Sequence, residues 1–188
     1  MERIIDKIRW SVFDDSEIIQ ETESEKCNDP KFDVYVGDDI DWSLLIYAVC
    51  YGRKELVRYL LSFPNIDVNY RSNFNSAALH FCNKVSILKL LLSCKDIDVN
   101  IQNYEGETGL FDFCYRGLEA CVRELLLDSR VNVLIRNKKG KTARDYALEQ
   151  GTPRIAKILE NSRHTSLLRI PNKTLIHDIV RMIIEEYA

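Results

Sequence analysis

The strongest constraint on this chain is a recurrence: four short helix starts spaced 34, 31 and 34 residues apart. They begin at Ser43, Ala77, Thr108 and Thr142 and read SLLIYA, AALHFC, TGLFDF and TARDYA. Each is followed by a second apolar run, in order ELVRYLL, SILKLLL, VRELLL and RIAKIL. Three units close alike, with NIDVN at 65–69, DIDVN at 96–100 and RVNVL at 130–134. In the clearest unit, residues 103–127, Gly106 and Gly117 mark two turns and Thr108 takes a capping position. Leu110, Phe113 and Cys114 share one face of its first helix; Cys121, Val122, Leu125 and Leu126 share one face of the second. Helices this short are marginal alone in water. Each unit must therefore bury its apolar face on a copy of itself, which predicts a stacked solenoid.

The order of turn, helix start, glycine turn, Leu-rich helix and Asp-Val-Asn ending resembles the ankyrin repeat, over about residues 37 to 161. The resemblance implies an all-α ankyrin-repeat solenoid of about four to five helix-turn-helix units, with short β-hairpin turns and a C-terminal helix. Its repeats would be residues 37–71, 72–102, 103–136 and 137–161. Repeat 72–102 is three residues short, and the gap falls between Phe81 and Ile87, so its inner helix is predicted to end near Asn83. Residues 1–36 read as a degenerate N-terminal capping repeat: Ile4, Ile5, Ile8, Val12 and Phe13 share a helical face, and Asp33 precedes Asp67 by 34 residues. Residues 162–188 read as a linker, 162–171, and an amphipathic helix, 172–187, with Leu175, Ile176, Ile179, Val180, Ile183 and Ile184 on its apolar face. Two roles stay open for that helix: a cap over the last repeat, or an arm that docks on a partner. The stretch LRIPNKTLIHDIV also resembles the start of an F-box, which poxviral and some intracellular bacterial ankyrin proteins use to recruit a ubiquitin ligase.

Catalytic groupings are missing from the sequence. His80, His164 and His177 are scattered, and GxSxG, a P-loop and HExxH do not occur. Gly140, Lys141 and Thr142 lack the upstream glycine of a phosphate loop, and the repeat register accounts for all three. A net charge of −3 argues against the whole chain binding nucleic acid. No run is long and apolar enough to span a membrane, and the charged first ten residues do not read as a signal peptide. Cys27, Cys50, Cys82, Cys94, Cys114 and Cys121 form no CxxC pair, and four lie inside repeat helices as small hydrophobes. Free thiols and a reducing, cytoplasmic location are expected, the host cytosol if the chain comes from a pathogen. The expectation is a non-enzymatic chain without cofactor or metal, whose partner is a protein. It would be a monomer, with oligomerisation through the C-terminal helix left open.

The resemblance also implies where a partner would sit. In ankyrin repeats the hairpin tips and inner helices form a concave surface. The projecting hairpin positions hold Asp39, Ile40 and Trp42, then Asn73, Phe74 and Ser76, then Tyr104, Glu105 and Glu107, then Lys138, Lys139 and Lys141. The projecting inner-helix positions hold Cys50 and Tyr51, Tyr115 and Arg116, and Glu149 and Gln150. The partner-binding set is taken as these hairpin positions without Ser76, plus Tyr51, Tyr115 and Arg116. Trp42, Tyr51, Phe74, Tyr104 and Tyr115 are expected to form one exposed aromatic row, the composition of an interface hot spot. Charge runs from acidic at Asp38, Asp39 and Asp41 to basic at Arg136, Lys138, Lys139 and Lys141. His80 occupies the family's histidine position, where the imidazole satisfies backbone groups of the neighbouring turn. The function so implied is that of an adaptor, scaffold or competitive inhibitor. The alternative is a pathogen ankyrin effector that recruits a ubiquitin ligase or inhibits Rel-type transcription factors.

Overall fold

A computed structural model describes residues 2–9, 13–28 and 41–167. Asp39, Ile40, the 172–187 helix and the F-box-like stretch lie outside the described residues. Ten helices follow one another: α1 Glu2–Arg9, α2 Asp15–Asn28, α3 Leu44–Cys50, α4 Lys54–Leu60, α5 Ala78–Phe81, α6 Val85–Leu92, α7 Gly109–Tyr115, α8 Glu119–Leu125, α9 Ala143–Glu149 and α10 Pro153–Leu167 among the described residues. Inner helices α3, α5, α7 and α9 stack in series, and outer helices α4, α6, α8 and α10 stack behind them. The first pair continues both rows, α1 against α3 and α2 against α4.

The inner helices are buried from two sides by their neighbours. Leu44 to Val49 are all buried in α3, as are Leu110, Phe111, Phe113 and Cys114 in α7. The outer helices bury one stripe each, such as Leu56, Val57 and Leu60, or Cys121, Val122 and Leu125. Burying such a side chain contributes about 1.5–3 kcal/mol, and here the burying surface belongs to the adjacent unit. Gly109 opens α7 because nothing larger fits: an added Cβ would lie 2.9 Å from Leu79 Cγ and 3.1 Å from the Leu79 carbonyl oxygen.

Asparagine amides staple successive units along one edge. Asn69 Nδ2 donates to the Asp96 carbonyl at 2.7 Å, and its Oδ1 accepts the Asp98 N–H at 2.8 Å. Asn100 repeats both bonds one unit later, to the Arg130 carbonyl and the Asn132 N–H, each at 2.8 Å. The third loop ends in Leu134, which has no amide to continue the staple.

The first helix pair is clamped reciprocally. Arg53, at the start of α4, donates to the carbonyls of Lys7, Ile8 and Phe13 at 2.7–3.2 Å, satisfying the open end of α1. Asp15, the first residue of α2, accepts the N–H groups of Glu55 and Leu56 in the first turn of α4.

Several local expectations change. α5 has only four residues, ending at Phe81. The gap is bridged by side chains: Asn83 Nδ2 donates to the Cys50 carbonyl at 3.3 Å and Lys84 Nζ to the Gly52 carbonyl at 3.1 Å. Thr108 sits at the N-cap of α7, but its hydroxyl makes no capping bond, unlike Ser43 and Thr142. The expected linker from residue 162 is helical as far as Leu167, since no Pro or Gly precedes Pro171 to stop α10. The hairpins contain no strand among the described residues; the ladder shrinks to one bridge, Arg136 with Thr142.

Two measurements test these points. Gly117 holds φ +66° with no steric neighbour nearer than 3.7 Å, so Gly117→Val is expected to cost about 1–2 kcal/mol in urea unfolding through the backbone alone. An unchanged midpoint would remove that account. Arg53→Ala strands several carbonyls and is expected to cost about 2 kcal/mol. Hydrogen exchange should quicken in α1 but not in α7; equal protection in both proteins would show that the clamp holds nothing.

Candidate functional site

Three hairpins share one device. The first side chain of each, Ser72, Asn103 or Asn137, accepts the N–H groups two and four residues on at 2.9–3.3 Å. The backbone closes the same loop, from Ser72, Asn103 and Asn137 N–H to the carbonyls of Ser76, Glu107 and Lys141. One left-handed residue completes each turn: Asn75, Gly106 or Gly140. The tips are then tied across units, Tyr104 N–H to the Phe74 carbonyl at 3.3 Å and Lys138 N–H to the Glu105 carbonyl at 2.9 Å. With the backbone polar groups satisfied inside the turns, the side chains at the tips are left to solvent.

Those side chains include large rings. Phe74 is 60% exposed, Tyr104 58% and Tyr115 59%, while Tyr51 is 44% exposed. Asn73, Glu105, Arg116, Lys138 and Lys139 are exposed beside them. Trp42 departs from the expected row. It is half-buried, its ring 4.5 Å from Phe81 and 5.2 Å from Tyr47, filling space beside the shortened α5. Its indole Nε1 is buried without a hydrogen-bond partner among the described residues. Glu107 departs too, because its carboxylate accepts from Asn137 Nδ2 at 2.9 Å and from the Tyr146 hydroxyl, acting as a strut between units. Lys141 pairs with Glu149 at 2.6 Å, which offsets part of the basic end of the expected charge gradient, and Asp41 accepts the Tyr70 hydroxyl at 2.7 Å.

His80 holds the hairpin to the helix beneath. Its Nδ1 accepts the Ala77 N–H at 3.0 Å, replacing the side-chain cap that Ala77 lacks. That bond leaves Nε2 as the donor, to the Glu107 carbonyl at 3.1 Å. Burial holds its pKa below the usual imidazole range, against the pull of the Glu107 and Ala77 carbonyls, so the ring is neutral and structural.

The sequence reading missed Asp112. Counting four residues from each helix start gives Tyr47, Phe81, Asp112 and Tyr146: a column of rings broken by one carboxylate. Where the ring is missing, a cleft of about 310 Å3 opens between α7 and α9, bounded by Phe111, Asp112, Tyr115, Tyr146 and the tips at Glu105, Glu107 and Lys139. Asp112 is half-buried, and its carboxylate accepts no hydrogen bond among the described residues. Burial first, then the Glu107 carboxylate, push its pKa up to about 7, against the pull of Arg116. Glu107 in turn helps raise the Tyr146 hydroxyl to about 12. The arrangement offers apolar contact, a few directed polar groups and one uncompensated acid. No group of three or more His, Cys, Asp or Glu among the described residues is placed to hold a metal ion, and no described helix is long and apolar enough to cross a membrane.

The sequence model of a family described as "Ankyrin repeats (3 copies)" matches residues 17–103 and 76–166. A probable serine/threonine-protein kinase of Dictyostelium discoideum is 29% identical over 135 residues, covering 66% of this chain and 16% of that protein. The chain thus spans a small fraction of that relative, and the kinase activity in its name belongs to that protein.

Because the carboxyl of Asp112 titrates above its ordinary value of 3.8, the native state keeps a proton that the unfolded chain gives up. Its contribution to stability is therefore lost as pH rises from about 4 to about 7. Asp112→Asn is expected to melt above the wild type at pH 8, with a smaller difference at pH 5. His80 titrates in both proteins and cancels. Equal differences at both pH values would count against a raised carboxyl.

Proposed function

This chain belongs to the ankyrin-repeat family, and from that premise we propose that it is a non-enzymatic module that grips another protein along the groove of hairpin tips and inner helices. The observation that supports the reading is the exposure of four rings, Phe74 and Tyr104 at hairpin tips and Tyr51 and Tyr115 at the ends of inner helices. Exposed aromatics supply large contact area at low conformational cost, which is why they recur as binding hot spots. Asn73, Glu105, Arg116, Lys138 and Lys139 form the polar surround, while Trp42, Glu107 and Lys141 support the surface from beneath. Such a groove serves an adaptor, a scaffold or a competitive inhibitor. The α1–α2 pair is read as the N-terminal capping unit, since it continues both helix rows. A reducing, cytoplasmic setting is supported by the free thiols at Cys50, Cys82, Cys94, Cys114 and Cys121.

The double variant Phe74→Asp/Tyr104→Asp changes only exposed tips, so its circular dichroism and melting curve should match the wild type. Leu127→Asp, at a 77% exposed site beyond α8, serves as the control. Affinity capture from lysate is expected to recover the same proteins with the wild type and the control, and to lose them with the double variant. Recovery of the same proteins by all three would exclude the groove.

A further inference from the structure

The interruption in the ring column has a consequence for what the groove accepts. Three of four inner helices carry an aromatic side chain at this position, and the third carries Asp112. The cleft so opened is walled by the rings of Phe111, Tyr115 and Tyr146 and lies beside the exposed rings of Tyr104 and Tyr115. Its polar lining is three carboxylates, Glu105, Glu107 and Asp112, against the single ammonium of Lys139. Glu107 is committed to Asn137 and Tyr146. Asp112 and Glu105 have no side-chain hydrogen bond or ion pair among the described residues, so two acids remain to meet an incoming group.

Resting on the groove reading above, we infer that the partner segment is basic and apolar, and that one of its Lys or Arg side chains seats in the cleft between α7 and α9. The fit follows from the chemistry of the two halves of such a side chain. Its methylene stem prefers an apolar wall, here the rings of Tyr115 and Tyr146, and its charged head prefers partly desolvated carboxylates at the far end. The face of Tyr115 adds attraction for the cation. A neutral residue would bring no positive charge to Glu105 and Asp112, and an acidic one would meet carboxylates of like charge. The carboxylate in place of a ring thus acts as a selector, since it penalises the wrong partner as well as rewarding the right one.

The test is an NMR titration of the full isotope-labelled chain with acetyl-Leu-Arg-Leu-amide and with its citrulline and glutamate twins. The arginine peptide is expected to give saturable shifts centred on the amides of Glu105, Asp112 and Tyr115. The neutral citrulline twin, which keeps the shape, is expected to bind about fivefold more weakly. Asp112→Tyr refills the ring column and closes the cleft, and should lose the same factor. Glu105→Gln, on an exposed tip, should also weaken the arginine peptide without touching the interior. Equal binding by the citrulline twin overturns the inference. So do shifts without saturation, shifts spread over Glu119 and Glu124 of α8, and tighter binding of the glutamate twin through Lys138 and Lys139. Failure here is separable from failure of the groove reading. If Phe74→Asp/Tyr104→Asp loses its captured proteins while the citrulline twin binds as well as arginine, the groove stands and only its cation selectivity falls.

Discussion

No helix of the repeat array can bury its own apolar face. Apart from α10, the helices from α3 onward run only four to eight residues, a length at which a lone helix is marginal in water. Everything else follows from the resulting need to stack. It explains why inner helices such as α3 are apolar on nearly every side, and why Gly109 stands where α7 meets Leu79 of the previous unit. It also explains the staples of Asn69 and Asn100. A loop that belongs to no sheet has backbone groups to satisfy, and the next unit's loop is the nearest partner.

Stacking also makes the groove. Each hairpin is internally closed by Ser72, Asn103 or Asn137, so its tip side chains are not needed for folding. Phe74, Tyr104 and Glu105 are thus exposed at little cost to stability, as the proposed recognition surface requires. The inner helices beneath are under the opposite constraint, because each side chain there must fit its neighbours. Asp112 breaks that rule. A carboxylate that burial keeps partly protonated is a poor choice for a core position, and it coincides with a cleft beside the exposed rings. Local inconsistency of this kind is expected at functional positions.

The recurrence at 34, 31 and 34 residues was enough to indicate a stacked helical repeat, the alternation of inner and outer helices and the early end of α5, because those depend on periodicity and turn chemistry, which are local. The exposed tips at Phe74 and Tyr104, and the helix end at Tyr115, were legible for the same reason. Asp112 was legible as well, as the one acid in a column of Tyr47, Phe81 and Tyr146, but it is seen only when equivalent positions are compared down the repeats. Other features depend on which side chains meet across units, and no local pattern carries that. Trp42 turns inward because α5 ends early and leaves room beside Phe81. Glu107 becomes a strut because Tyr146, 39 residues on, comes within hydrogen-bonding reach. The sequence by itself thus determined the repeat and its faces; the tertiary structure alone decided which of the projecting groups are spent on neighbouring units and which remain for a partner, since that choice is made by distances between residues thirty or more positions apart.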